Sequence, residues 1–258
     1  MFTTIINDCR DANAEGRQAS RVSALTGAPV NFVGVKNPLE AAGNIIDTID
    51  ATGDEKAMIL VNVAPRHGKA KKWPNGTPFG YFWYNEILVV STVDDVTLSL
   101  VKKFGLADSI TVFEYEKTVD AMIKEGFIKE ESRDRVNRGQ FRSFDFVPRA
   151  AAFVLKHGNV EGEKLDISEI PDAPHAVWWV DNFGNCKTTV LADEVDENSE
   201  SDFLKKLAHY PRLKDVPNDE VALVTGSSGL GERRFLEIVA QGKSAAEKLG
   251  LSSGDLVE

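Results

Sequence analysis

Hydrophobic positions in this chain fall into short blocks separated by polar turns. Residues 2–6 are apolar and rich in β-branched and aromatic side chains, which predicts a buried strand ending in the polar turn Asn7-Asp8-Cys9-Arg10-Asp11. Residues 12–25 suit a helix and 30–35 a second strand. After Asn37-Pro38, Leu39, Ala42, Ile46 and Ile49 share one face of a helix predicted over 39–49. A strong third strand is expected over 57–63. Strand and helix alternating in this way predict βαβ units, hence an α/β domain with a mostly parallel sheet.

Residues 64–80 contain three prolines, three glycines and few apolar positions, and they predict a long, functional loop. Beyond it the pattern gives one strand over 81–92, a helix over 96–104, a strand over 110–114 and a helix over 119–130. A charged connection over 133–139 and an apolar helix over 146–155 follow, with Pro148 near the start of that helix. The character changes near Gly158. Strands are expected at 176–180, 186–191, 221–225 and 235–240, with a linker at 166–174 and one helical turn at 204–207. Strands at this spacing predict a small all-β, barrel-like unit. The expected organisation is an α/β domain over 1–165 and a smaller all-β domain over 166–258.

Composition narrows the classes of function. The chain has 258 residues, 42% of them hydrophobic and 27% charged, as in an ordinary globular protein. It has no apolar run of about 18 residues, so no membrane span is expected. The start lacks the pattern of a signal peptide, and the two cysteines, Cys9 and Cys186, are far apart, which fits a reducing, cytoplasmic setting. The net charge of −10 argues against nucleic acid and anionic membranes as partners. Arg66, His67, Lys69, Lys71 and Lys72 form a basic exception inside the long loop. Four histidines and two cysteines show no metal-ligand spacing, so no metal site is predicted. The acidic stretch 193–202 reads as a solvated loop, and Trp178-Trp179 as strand core and subunit contact.

Ligands of open α/β sheets bind at the carboxyl ends of the strands. Asp8 follows the first strand, residues 62–69 follow the third, and 141–145 precede a helix. A carboxylate such as Asp8 has two acceptor oxygens, enough for both hydroxyls of a ribose, although an Asp at such a place also serves as a plain helix cap or turn. In the second unit, Asp181-Asn182-Phe183-Gly184-Asn185 follows Val177-Trp178-Trp179-Val180. It reads either as a tight turn or as a ligand-facing loop with polar contacts and a stacking face. Gly226-Ser227-Ser228-Gly229 reads as a second loop, and since a strand follows it, it is not a phosphate cradle.

Taken in order, these segments resemble the S-adenosylmethionine hydroxide adenosyltransferases, relatives of the fluorinase and chlorinase. Asn7-Asp8-Cys9-Arg10-Asp11 stands where that family has T-D-F-G-x-x-D. Val61-Asn62-Val63-Ala64-Pro65-Arg66-His67-Gly68-Lys69 stands for V-D-P-G-V-G-x-x-R. Phe141-Arg142-Ser143-Phe144-Asp145 and the following 146–151 stand for F-H-G-R-D-x-F-A-P-A-A, one residue shorter. The second unit matches best: 181–189 for D-x-F-G-N-x-x-T-N, then 226–229, 242–246 and 249–255 for the closing G-S-x-G, G-x-S-A-A and L-G-x-x-x-G-D patterns.

The resemblance implies S-adenosylmethionine as ligand and a homotrimer with the site at the subunit interface. The first domain of one subunit would face the second domain of its neighbour there. Asp8 would hold the ribose hydroxyls, and Asp181 and Asn185 the methionine amino and carboxylate groups, with Phe183 nearby. Ser227, Ser228 and Gln241 would face the adenine, with Phe141 and Ser143 also against the ligand. The family's hydrolytic Asp, Arg and His become Asn62, Lys69 and Arg142 here, and His67 is a substitute base. Asn62 orients water but takes no proton at neutral pH. Ser143 replaces the family's Gly, as in the fluorinase, and its hydroxyl can donate to an anion.

Three functions stay open on the sequence. The first is displacement at C5′ of S-adenosylmethionine by water or a small anion. In the second, Arg66, His67, Lys69 and Arg142 bind a phosphorylated nucleoside, and these cations oppose a sulfonium. The third is a non-catalytic adenosyl-binding module.

Overall fold

The computed structural model describes residues 1–65, 76–195 and 202–257. His67 and Lys69, with the rest of the basic stretch, lie outside the described residues.

The first sheet has seven strands in the order β2-β1-β3-β5-β4-β6-β7. These are β1 (Phe2–Asn7), β2 (Val30–Gly34), β3 (Ala57–Asn62), β4 (Phe79–Tyr84), β5 (Ile87–Thr92), β6 (Ser109–Phe113) and β7 (Gly162–Asp166). The helices are α1 (Ala12–Thr26), α2 (Pro38–Thr52), α3 (Ser99–Phe104), α4 (Tyr115–Lys124), α5 (Arg133–Arg138), α6 (Arg142–Asp145) and α7 (Val147–His157). Asp11 caps α1 by accepting from the amides of Asn13 and Ala14, and Asn37 caps α2 with Pro38 in its first turn.

Strands β2, β1, β3 and β5 run parallel, whereas β4, β6 and β7 join by antiparallel pairs, so the sheet is mixed and not mostly parallel. Two features unread in the sequence account for the difference. The apolar run over 79–92 is a hairpin, turning at Asn85 with φ 49°. Asn-Glu is a weaker turn signal than Asn-Gly, so the run reads as one strand. Strand β7 is a polar edge strand, and its GEKLD sequence carries almost no hydrophobic alternation.

Side chains of β3 alternate between two cores, as expected of a strand buried on both faces. Ile59 and Val61 pack with α2 residues such as Ile45 and Ile49, while Met58 and Leu60 pack with α7 residues such as Ala150 and Phe153. The predicted connection over 133–139 is the short helix α5.

The second sheet has five strands in the order β10-β11-β12-β9-β8. They are β8 (Val177–Val180), β9 (Cys186–Leu191), β10 (His209–Tyr210), β11 (Val221–Leu230) and β12 (Arg233–Ala240), accompanied by α8 (Asp202–Lys205) and α9 (Ala245–Leu249). Its hydrogen-bonded order ends at β10 and at β8 with no closing pair between them, so among the described residues it is a sheet and not a closed barrel. Gly226 to Gly229, read as a loop, instead lie within β11 at a register shift against β12. A bulge of this kind keeps a Gly-Ser segment inside a ladder that its composition disfavours.

The two sheets meet across α2. Trp178 of β8 is 1% exposed and lies over Gly43, where an added Cβ would stand 2.2 Å from the indole. Asp47 accepts from Ser228 Oγ at 2.8 Å and from the Gly229 amide at 3.1 Å, and Asp50 pairs with Arg234 at 2.7 Å. Among the described residues no helix is long and apolar enough to cross a membrane.

Candidate functional site

Strands β1 and β3 lie side by side in parallel with Asn7 opposite Asn62, which brings two amides together at their carboxyl ends. Asn7 is fully buried. Its Nδ2 donates to Gln18 Oε1 at 2.6 Å, while its Oδ1 accepts from Asn62 Nδ2 at 3.0 Å and from the Cys9 amide at 2.8 Å. Asn62 Nδ2 also lies 3.4 Å from Asp8 Oδ1, and the Ala64 amide donates to Asp8 Oδ2 at 3.2 Å. The Asp8 carboxylate is therefore oriented by two groups from the end of β3.

Asp8 lines a cleft of about 440 Å³, together with Arg10, Lys36, Asn37, Asp94 and Asp95. That volume suits a small-molecule site. The cleft lies where β1 has β2 on one side and β3 on the other, the switch point at which open sheets bind ligands. Asp95 has φ 50°, an uncommon conformation for a residue other than glycine and one often held at ligand sites. Among the described charged residues of the lining, Asp8, Asp94 and Asp95 outnumber Arg10 and Lys36.

The other sequence-derived residues scatter. Ser143 of α6 sits beside Asn7, Gln18 and Asn62 around a very small void. Phe141 is 56% exposed and lines an adjoining groove with Ser143. Arg142 leaves α6 in another direction and stacks on the Tyr115 ring, 4.3 Å from its centroid. Tyr115 is anchored at the start of β4, accepting from the Phe79 amide and donating to the Thr77 carbonyl. Burial raises the Tyr115 pKa, and the Arg142 charge opposes that rise. Arg142 thus belongs to the β4 end of the sheet edge, whereas Asn62 ends β3 with β5 between them.

In the second sheet the polar residues bond to each other. Asp181 Oδ1 accepts from the amides of Phe183 and Asn185 at 2.8 and 2.9 Å, and Oδ2 accepts from Asn185 Nδ2 at 2.9 Å. Phe183 projects from this turn, 71% exposed. Gly184 has φ 82°, and a Cβ there would meet Ser244 Oγ at 2.0 Å, so the turn requires glycine. The Gln241 carbonyl accepts from the Asp219 amide. Ser228 is 3% exposed and faces α2 of its own chain, donating to Asp47 and accepting from Lys187. The Ser227 carbonyl accepts from Arg234.

None of Asp181, Phe183, Asn185, Ser227, Ser228 and Gln241 lines the Asp8 cleft of the same chain. Instead Trp179, Val180 and Leu251 to Ser253 approach Arg10, Lys36 and Glu40 around a second cavity of about 270 Å³. The closing 249–255 pattern was the sequence signal for that segment. Asn7, Gln18, Asp94 and Asp95 carried no such signal, because Asn, Gln and Asp at strand and helix ends read as ordinary turn and cap residues. Nearby Glu237 is raised in pKa chiefly by burial, with Lys187 acting in the opposite direction. Burial also pushes the Cys186 thiol up to about 11, so it is not a thiolate nucleophile at neutral pH. Among the described residues no three His, Cys, Asp or Glu side chains gather as metal ligands.

Asn62→Asp restores the acid of the family pattern but sets it against Asn7 Oδ1 and the Asp8 carboxylate. The expected result is a loss of about 1–2 kcal/mol at pH 7, since a donor becomes a like-charged acceptor. The repulsion raises the folded-state pKa of the pair. Stability lost through it is therefore regained as pH falls through the carboxylate range, and thermal melts at pH 7 and pH 4 measure the sign.

Residues 175–258 match the profile of the SAM hydroxide adenosyltransferase C-terminal domain. No curated protein matches the chain. Two crystal structures share the fold. A match to an uncharacterized conserved protein from Thermotoga maritima has 18% identity and a TM-score of 0.66, covering 98% of each chain. A match to a conserved hypothetical protein from Thermus thermophilus has 17% identity and a TM-score of 0.60, covering 98% of this chain and 97% of the other.

Proposed function

We propose that this chain, a member of the S-adenosylmethionine hydroxide adenosyltransferase superfamily, binds S-adenosylmethionine and catalyses nucleophilic displacement at its C5′ carbon. The observation that carries this reading is the Asp8 cleft at the β1–β3 switch point, where open α/β sheets bind their ligands.

In this reading residues 1–165 and 166–258 act as two domains. Asp8 takes the ribose hydroxyls, and Asn62 and Ser143 orient the nucleophile beside it. Asp181, Phe183 and Asn185 come from a neighbouring copy, because they do not line the cleft of their own chain. Ser227 and Gln241 reach the adenine from the same copy, in a homotrimer of soluble cytoplasmic subunits. His67 and Lys69 complete the nucleophile side from the basic loop, while Arg142 stays stacked on Tyr115.

The chemistry asks little of an acid or a base. Water oxygen attacks C5′ as the C5′–S bond breaks, and sulfur leaves with the electron pair as the neutral thioether of methionine. The attacking water then loses a proton to solvent. In-line positioning and a partly dehydrated nucleophile supply most of the acceleration. An amide at position 62 is compatible with this, since it orients water without deprotonating it.

A second reading rests on the neutral Asn7–Asn62–Gln18 ladder, which stands where hydrolytic relatives keep an acid. On it the protein binds the adenosyl ligand without turnover. Incubation with S-adenosylmethionine, followed by chromatography for adenosine, 5′-halogenated adenosine and methionine, separates the two. Equal amounts of adenosine and methionine are expected. Intact S-adenosylmethionine with a calorimetric binding signal would establish the non-catalytic module instead.

A further inference from the structure

Away from the Asp8 cleft, one face of α1 carries an excess of positive charge that the fold does not neutralise. Asp145 lies 3.7 Å from Arg21, 3.6 Å from Arg135 and 3.6 Å from Arg149. Neither Arg21 Nη1 nor Asp145 Oδ1 has a hydrogen-bond partner among the described residues, although both atoms are buried. Arg17 joins this group with no ion pair of its own among the described residues. Its guanidinium lies 4.5 Å from the Phe144 ring centroid, and that of Arg21 lies 4.1 Å from the same centroid. Three arginines thus share one carboxylate, with Arg17 beside them, in a chain whose net charge is −10. Burial, and after it the Arg21 charge, bring Arg149 down to about 10.

The surface beside these side chains is concave. Asn13, Arg17, Ser20, Arg21 and Phe144 line a groove of about 490 Å³. A second groove of about 210 Å³ shares Asn13, Arg17 and Phe144 with it and continues to the exposed Phe141. Asp11, which also lines the second groove, is engaged in capping α1.

We propose that this groove along α1 and α6 is a second ligand site, distinct from the Asp8 cleft, which binds a phosphate-bearing small molecule. Planar guanidinium forks match phosphate oxygens in pairs, and a dianion relieves the repulsion among arginines that one aspartate leaves. Ser20 and Asn13 add neutral polar groups, and Phe141 adds an aromatic face for an attached ring. The site adjoins Ser143, so a bound anion steadies the short helix that carries it.

Calorimetry on the full chain, with inorganic phosphate and with adenosine monophosphate, tests the assignment. Dissociation constants of roughly millimolar or tighter are expected for at least one probe. Arg17→Ala and Arg21→Gln are each expected to weaken binding about tenfold, the weight of a charge-assisted hydrogen bond. Asp8→Ala should leave the binding of inorganic phosphate unchanged. Arg17 is exposed, so its variant decides the matter even if Arg21→Gln fails to fold. If adenosine monophosphate binds more tightly than phosphate, Phe141→Ala removes only that difference. If phosphate binds equally well, the anion alone is the ligand. No heat from either probe, unchanged binding in Arg17→Ala, loss of inorganic phosphate binding in Asp8→Ala, or binding confined to a polyanion such as heparin would each overturn the proposal.

Discussion

Asp8→Ala is expected to weaken S-adenosylmethionine binding by about a hundredfold while leaving the protein folded. Asp8 is oriented by the Ala64 amide and lies close to the Asn62 amide, and it lines the cleft at the end of β1. In the proposed complex its carboxylate accepts from both ribose hydroxyls. Hydrogen bonds to a charged group contribute about 1.5–3 kcal/mol each, so two at the low end total about 3 kcal/mol, a factor of roughly one hundred or slightly more. Asp8→Asn keeps the shape but loses the charge and half of the acceptor capacity, so an intermediate loss is expected. Calorimetric titration measures both variants, and circular dichroism with a thermal melt checks the fold. Affinity within threefold of wild type for Asp8→Ala would remove Asp8 from the site, and the cleft reading with it.

The second large effect concerns the junction of the two sheets. Gly43→Ala is expected to destabilise the protein by about 2–3 kcal/mol, even though alanine is the better helix former by about 1 kcal/mol. An added Cβ at Gly43 would stand 2.2 Å from two carbons of the Trp178 ring. Trp178 is 1% exposed, packs against Phe235 with ring centroids 6.2 Å apart, and has Lys187 Nζ 5.4 Å from its ring centroid. It has nowhere to move without opening the α2 contact. Gly16 of α1 is the matched control, since nothing lies within 4 Å of a Cβ built there. Gly16→Ala is expected to stabilise by about 0.5–1 kcal/mol through helix propensity alone. At roughly 2–4 °C per kcal/mol for a chain of this size, the two variants should melt on opposite sides of wild type. A Gly43→Ala melt at or above that of wild type would show that the indole is not wedged.

Local pattern made much of this molecule legible without coordinates. The strand over 2–6, the helices over 12–25 and 39–49, and the strand over 57–63 are where their periodicity and caps put them. These signals are read over a few neighbouring residues, and the physics that produces them is equally local. Asp8 and Asn62 at strand ends were also readable, because an α/β sheet presents those ends to ligands. The resemblance was readable from ordered motifs, and residues 175–258 match the profile of the SAM hydroxide adenosyltransferase C-terminal domain.

Long-range pairing decided the rest. Whether 79–92 is one strand or a hairpin depends on β6 and β7 offering antiparallel edges, which makes the sheet mixed. The partnership of Asn7 with Gln18 and Asn62 depends on the register of β1 against β3, since each amide by itself looks like a turn residue. Ser228 faces Asp47 because β11 packs on α2, a contact between residues 181 positions apart. Arg142 and Ser143 are adjacent in sequence yet serve different neighbours, because consecutive positions on a helix point about 100° apart. Sequence by itself therefore determined the first strands and helices and the resemblance carried by ordered motifs. Only the tertiary structure decided which polar side chains meet, because that depends on the packing of segments that share no local signal.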